Sequence, residues 1–131
     1  MKSILIDTSA IIAVIAGEPE KEKLTELVKG CVLIAPKSVY WEIGNAFSAM
    51  LRRKRISLQQ AKEALDIFLK IPIRYLDINL CEALIIAEQN NIYAYDAYLL
   101  AGAMRYKAPL LTLDKQMIRM ASEMYITVLE V

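Results

Sequence analysis

Short apolar runs recur along this chain at distances that only crossover connections can bridge. Lys2–Asp7 (KSILID), Cys31–Pro36 (CVLIAP), Pro72–Leu76 (PIRYL), Pro109–Leu113 (PLLTL) and Tyr125–Val131 (YITVLEV) have the length and apolar content of strands. Sequence with helical spacing separates every successive pair. Strands joined through helices pair in parallel, because a tight hairpin turn is not available to them. The order reads βααβααβααβαβ. It predicts a three-layer α/β sandwich around a five-stranded, mainly parallel sheet.

The helical stretches carry their own punctuation. Thr8–Gly17 (TSAIIAVIAG) is a short apolar helix ended by glycine, and Pro19 opens a second one, with Gly30 behind it. Ser38 is the expected cap of SVYWEIGNAFSAMLRRKR, whose Val39, Ile43, Phe47 and Met50 fall on one stripe. Ser57 caps SLQQAKEALDIFLK. Residues 79–91 and 95–107 read as two further helices, and Asp114 opens a last one, DKQMIRMASEM. Pro72 leads its strand, which marks that strand as an edge. No repeat, linker or low-complexity segment interrupts residues 1–131, so one domain is expected.

Composition narrows the function classes. Apolar residues make up 56% of the chain, above the usual ~45–50%. Either an oligomer interface takes up the surplus or the chain is lean in loops. The net charge is +1, so attraction to nucleic acid or membrane has to be local. Cys31 and Cys81 form no CxxC pair and read as buried free thiols of a reducing compartment. The longest uncharged stretch, Thr8–Gly17, is too short to span a bilayer. Asp7 interrupts the first apolar run too early for a signal peptide, so a cytoplasmic, soluble protein is expected.

Four acids stand where strands hand over to helices or in a helix's first turns: Asp7, Glu42, Asp96 and Asp114. In parallel sheets, sites form beyond the carboxyl ends of the strands, and all four belong to that edge. Taken singly, Asp7, Asp96 and Asp114 are ordinary helix caps, and Glu42 is an ordinary solvated helix residue. Gathered, they are costly. Two carboxylates ~5 Å apart repel by roughly 3 kcal/mol at an effective dielectric of 20. No Lys or Arg in the motifs around Asp7, Glu42 and Asp96 offsets this. The chain has no histidine, and an all-oxygen set suits Mg²⁺ or Mn²⁺ rather than Zn²⁺. Such an ion makes bound water nucleophilic and steadies phosphoryl oxygens, so phosphodiester hydrolysis fits. Position alone leaves caps and metal site both open.

The stretches ILIDTSAIIA (4–13), VYWEIGNAF (39–47), YDAYLLAGA (95–103) and PLLTLDKQMIRMA (109–121) together resemble a PIN domain. Size and layout are similar to the VapC-type ribonuclease toxins. The resemblance implies that Asp7, Glu42, Asp96 and Asp114 form the metal-binding, catalytic quartet of a Mg²⁺- or Mn²⁺-dependent endoribonuclease. Ser9, Asn45 and Thr112 match the polar positions that accompany those acids. The same resemblance implies an RNA substrate, a homodimer, and a small antitoxin whose tail enters the acidic groove. A silent PIN-fold module that holds RNA or protein is the alternative. A phosphoaspartate receiver is another, although it would show adjacent acids where Thr8 and Ser9 follow Asp7. A haloacid-dehalogenase-type phosphatase would want Asp in place of Ser9.

Arg52, Arg53, Lys54 and Arg55 form the one dense basic run. They read either as a helix end answering its own dipole or as a phosphate-binding rim. Lys115, beside Asp114, is a further candidate for RNA. Tyr40 and Trp41 read as core or dimer contacts before base-stacking platforms, and the run ALIIA (83–87) suggests a dimer formed through helices.

Overall fold

The computed structural model describes residues 2–131. Strands β1 (Ser3–Ile6), β2 (Val32–Pro36), β3 (Ile73–Leu76) and β4 (Leu110–Leu111) alternate with helices α1 (Thr8–Ile15), α2 (Lys21–Val28), α3 (Ser38–Arg52), α4 (Leu58–Lys70), α5 (Leu80–Asn90), α6 (Ala94–Tyr106) and α7 (Lys115–Glu123). The sheet order is β3-β2-β1-β4, parallel throughout. β3 lies at an edge, where its leading proline needs no partner.

Chain order fixes where a site can form. The first two crossovers step from β1 outward to β2 and β3. The third returns past both and places β4 on the far side of β1. Strand order therefore reverses between β1 and β4, the place where parallel sheets leave a crevice beyond their carboxyl ends. One face of the sheet packs on α6, which is paired with α5, while Ile6 and Leu33 meet Ile11, Val14 and Leu24 of α1 and α2 on the other. Leu5, Ile11, Leu100, Leu110 and Leu111 are fully buried at the centre.

The fifth strand does not form. Beyond α7 the chain makes one isolated parallel bridge, Leu110 to Val128. It rests on hydrogen bonds from Leu110 N–H to the Thr127 carbonyl and from Leu129 N–H to the Leu110 carbonyl. β4 offers only two residues before Thr112 and Asp114 turn away toward the site, so no longer ladder has a template. Ser38 is not a cap either. It lies inside α3 behind an N-cap at Lys37, and its buried hydroxyl has no hydrogen-bond partner. Ser57 does cap α4, in a reciprocal box with Gln60. The expectation of buried thiols fails at Cys81, which is exposed at the start of α5; Cys31 is half-buried. α2 begins two residues after Pro19, which stands in the preceding turn.

Gly102 lets α6 lie close against the sheet. A Cβ there would stand 3.0 Å from Leu5 Cδ1 and 3.3 Å from Ile78 Cδ1, in a fully buried setting. Gly102→Val should therefore destabilise the fold by about 1–3 kcal/mol through overpacking, read as a lower urea midpoint with an unchanged slope.

Candidate functional site

Asp7 follows β1 and caps α1, its Oδ1 accepting the Ala10 N–H at 3.0 Å. Ser9 Oγ donates to the same oxygen at 2.7 Å, and Thr112 Oγ1 donates to Oδ2. Backbone holds both hydroxyls in turn. Leu113 N–H donates to Ser9 Oγ at 2.9 Å and Asp114 N–H to Thr112 Oγ1 at 3.0 Å. The carboxylate after β1 is thus tied to the loop after β4, across the point where strand order reverses. Asp114 caps α7 through Oδ1, which accepts from Gln116 and Met117. Asp96 occupies the first turn of α6. Glu42 sits in the second turn of α3, with Oε2 buried and without a hydrogen-bond partner.

Asp7 and Asp114 cap their helices, and Asp7, Glu42 and Asp96 each have a carboxyl raised in part by another of the four acids. Burial raises the Asp7 carboxyl, with Asp114 adding to the rise, while the Thr112, Ser9 and Ala10 hydrogen bonds oppose it. Burial pushes Glu42 up to about 7, helped by Asp96 and then Asp7. Asp96 is raised by burial and by Asp114. No cation answers them: the ion pairs among the described residues are Lys29–Glu26 and Arg105–Glu82, both elsewhere.

Among the described residues no group of three acids or cysteines is placed so that it could hold a metal ion. The donors nevertheless fit a hard divalent cation. They are all oxygen, they repel one another, and one buried carboxylate oxygen lacks any donor.

The Ala10 N–H that holds Asp7 and the Leu113 N–H that holds Ser9 leave no mark in residue letters. Lys37 was not among the expected residues; its Nζ lies 4.5 Å from the ring centroids of both Tyr40 and Tyr75. Its i,i+3 spacing to Tyr40 was the available signal. Asn45 is exposed one turn past Glu42, and its side chain bonds to none of the acids. Trp41 is 68% exposed, which removes the core reading and leaves the dimer-contact and base-stacking readings. Arg52, Arg53, Lys54 and Arg55 are all exposed. Arg52 lies ten residues past Glu42 on α3, ~15 Å along the axis, so the run does not join the acids. Lys115 is exposed next to Asp114.

The sequence signature of the PIN domain family matches residues 4–123. The chain belongs to this family. No curated protein sequence matches it. Solved PIN-like structures do. PAE2754 from Pyrobaculum aerophilum has a TM-score of 0.72 at 21% identity, covering 91% of this chain and 79% of the other. VapBC2 from Rickettsia felis, bound to a DNA fragment from its promoter, has a TM-score of 0.64 at 20% identity over 98% and 97%. VapC20 from Mycobacterium tuberculosis, a Sarcin-Ricin loop cleaving toxin, has a TM-score of 0.63 at 18% identity over 88% and 93%. PIN nucleases generally use divalent metals, in keeping with the donor set here. Among the described residues no helix of this PIN domain is long and apolar enough to cross a membrane.

The raised carboxyls fix a pH dependence for the metal-free protein. Glu42 binds its proton more tightly when folded, about 7 against an ordinary 4.5. Stability is therefore lost as pH climbs from about 4.5 through 7, since the unfolded chain gives up that proton first. In EDTA the melting temperature should fall over this window. Glu42→Gln should flatten the slope and melt above the parent at pH 8.

Proposed function

We propose that this PIN domain is a Mg²⁺- or Mn²⁺-dependent endoribonuclease and the toxin of a toxin–antitoxin pair. The reading is carried by the carboxyls of Asp7, Glu42, Asp96 and Asp114 at the reversal of strand order: the first three are each raised in part by another of the four, and none forms an ion pair with a Lys or Arg among the described residues. A bound divalent ion would supply a nucleophilic water and charge for the phosphoryl oxygens. Asp7, locked by Ser9 and Thr112, is the fixed ligand. Asp114 keeps Oδ2 outside its capping bonds, and Glu42 Oε2 has no hydrogen-bond donor, so both leave an oxygen for the ion. Glu42 releases its proton as the set fills, so ion affinity should rise with pH. With no histidine in the chain, an imidazole pair acting on the 2′-hydroxyl is excluded.

The Sarcin-Ricin loop cleaving neighbour supports RNA as the substrate. The VapBC2 complex and a toxin–antitoxin complex from Klebsiella pneumoniae, at a TM-score of 0.56, support an antitoxin protein as partner. The family match leaves no place for a receiver-domain reading. Exposed Leu80, Leu84 and Ile85 on α5 support a homodimer through that helix. Lys115 is the basic residue best placed to meet a phosphate at the site, and Arg52, Arg53 and Arg55 would serve a strand extending beyond it.

Asp96→Asn should lower RNA cleavage by at least about 100-fold, the scale of a lost electrostatic contributor, while its circular dichroism stays that of the parent. EDTA should stop the parent and Mn²⁺ restore it; cleavage that survives exhaustive chelation would falsify the metal mechanism. Light scattering at micromolar concentration should show a dimer that Leu84→Glu splits. An Arg52→Ala/Arg53→Ala variant of the Asp96→Asn protein should bind RNA with a salt slope reduced by about 1–2. An unchanged slope removes these arginines from the binding surface.

A further inference from the structure

At the opposite end of the sheet, ahead of β1 and β4, lies a cavity of about 550 Å³, a size typical of small-molecule sites. Lys2, Lys107, Tyr125 and Thr127 line it together with apolar side chains such as Met124 and Ile126, and no Asp or Glu does. Neither lysine makes an ion pair among the described residues. The cavity is separate from the acidic ring. Lys2 precedes β1 and Asp7 follows it, with four strand residues between them, ~13 Å of extended chain.

Tyr125 is the unusual member. Its φ is +59°, a left-handed conformation that bulky residues adopt only under strain. Asn91 takes a similar φ after α5, where asparagine tolerates it. Packing does not explain a tyrosine at 125, because the residue is 96% exposed. Both faces of the ring are open beside a carboxylate-free cavity with two unpaired ammonium groups. The left-handed turn itself closes α7, with Tyr125 N–H donating to the Ser122 carbonyl and Ile126 N–H to the Ala121 carbonyl. That closure uses backbone alone and would suit Gly or Asn better, so the tyrosine side chain is left for a ligand.

We propose that this cavity binds a nucleoside monophosphate, with the phosphate between Lys2 and Lys107 and the base stacked on Tyr125. The ligand is a free nucleotide or the terminal nucleotide of an RNA strand. An acidic peptide would satisfy the lysines but would leave the open ring unused, whereas every base has a face to stack. The assignment does not rest on the nuclease reading.

Calorimetric titration of the full chain with AMP, in EDTA and at low salt, tests it. AMP should saturate the protein, with adenosine and inorganic phosphate each markedly weaker. Tyr125→Asn should weaken AMP by about 5- to 150-fold, the span of base–aromatic stacking. Lys107→Asn, which keeps a residue suited to the left-handed φ of Lys107, should weaken it by at least about fivefold. Tyr125→Asn should also melt at a higher temperature than the parent, because the strain is relieved. Competition with AMP by a 5′-phosphorylated tetraribonucleotide, but not by its 5′-hydroxyl form, assigns the site to RNA ends; failure of both assigns it to free nucleotide. AMP affinity weaker than about 1 mM, or affinity unchanged in both variants, overturns the proposal. So does a Tyr125→Asn protein that melts lower than the parent, or a polyglutamate peptide that displaces AMP and binds parent and Tyr125→Asn alike.

Discussion

The Asp7 carboxylate joins the two halves of this molecule. Its oxygens accept from Ala10, Ser9 and Thr112, and through them the first strand's exit is bound to the last strand's exit. β1 and β4 pair over only two residues, so the ladder alone would hold this junction weakly. The side-chain network supplies the missing connection at the position where the strand order reverses. A carboxylate in that role is buried, and burial raises its pKa while the hydrogen bonds pull the other way. The polar junction can persist because every acceptor it uses has a donor. Glu42, with one buried oxygen unanswered, is where the same economy is incomplete, and that is the position a cation would complete.

Most of the fold was legible because helix-length spacing between apolar runs admits little but parallel crossovers. The edge position of β3 followed from Pro72, and the capping role of Ser57 from its place just ahead of a helical apolar pattern. The misjudged elements share a cause. YITVLEV has strand composition, but a strand exists only if its neighbour offers a ladder, and β4 ends after Leu111. Ser38 has a cap's chemistry one residue too late, because α3 begins straight after Pro36 and Lys37 takes the boundary. Trp41 is apolar by type yet faces outward. Local sequence does not state what stands opposite a residue.

The acids were legible for a different reason. A carboxylate at a strand's carboxyl end serves capping and ligation equally, and Asp7 and Asp114 do cap their helices. What separates the readings is the company each acid keeps across the fold. Asp7 feels Asp114, Glu42 feels Asp96 and Asp7, and Asp96 feels Asp114. Such coupling joins positions up to 107 residues apart, from Asp7 to Asp114, and no window of sequence contains it. Capping accounts for Asp7 and Asp114 alone, since Glu42 lies in the second turn of α3 and α6 has no side-chain cap.

A net charge of +1 conceals a separation along the strand direction. Carboxylates gather beyond the strands' carboxyl ends, and Lys2 and Lys107 stand at the amino ends. For a polyanion the consequence is asymmetric. Without an ion, the ring repels a phosphate, and only the basic residues attract one. An ion bound there would offset part of that negative charge and offer open positions to phosphate oxygens, while the lysines at the other end are unaffected. Divalent cation would then govern both whether a phosphodiester reacts and whether it can approach the ring at all. In a nearly neutral protein without long-range steering, engagement of a polyanion at the acidic end would then be conditional on the ion.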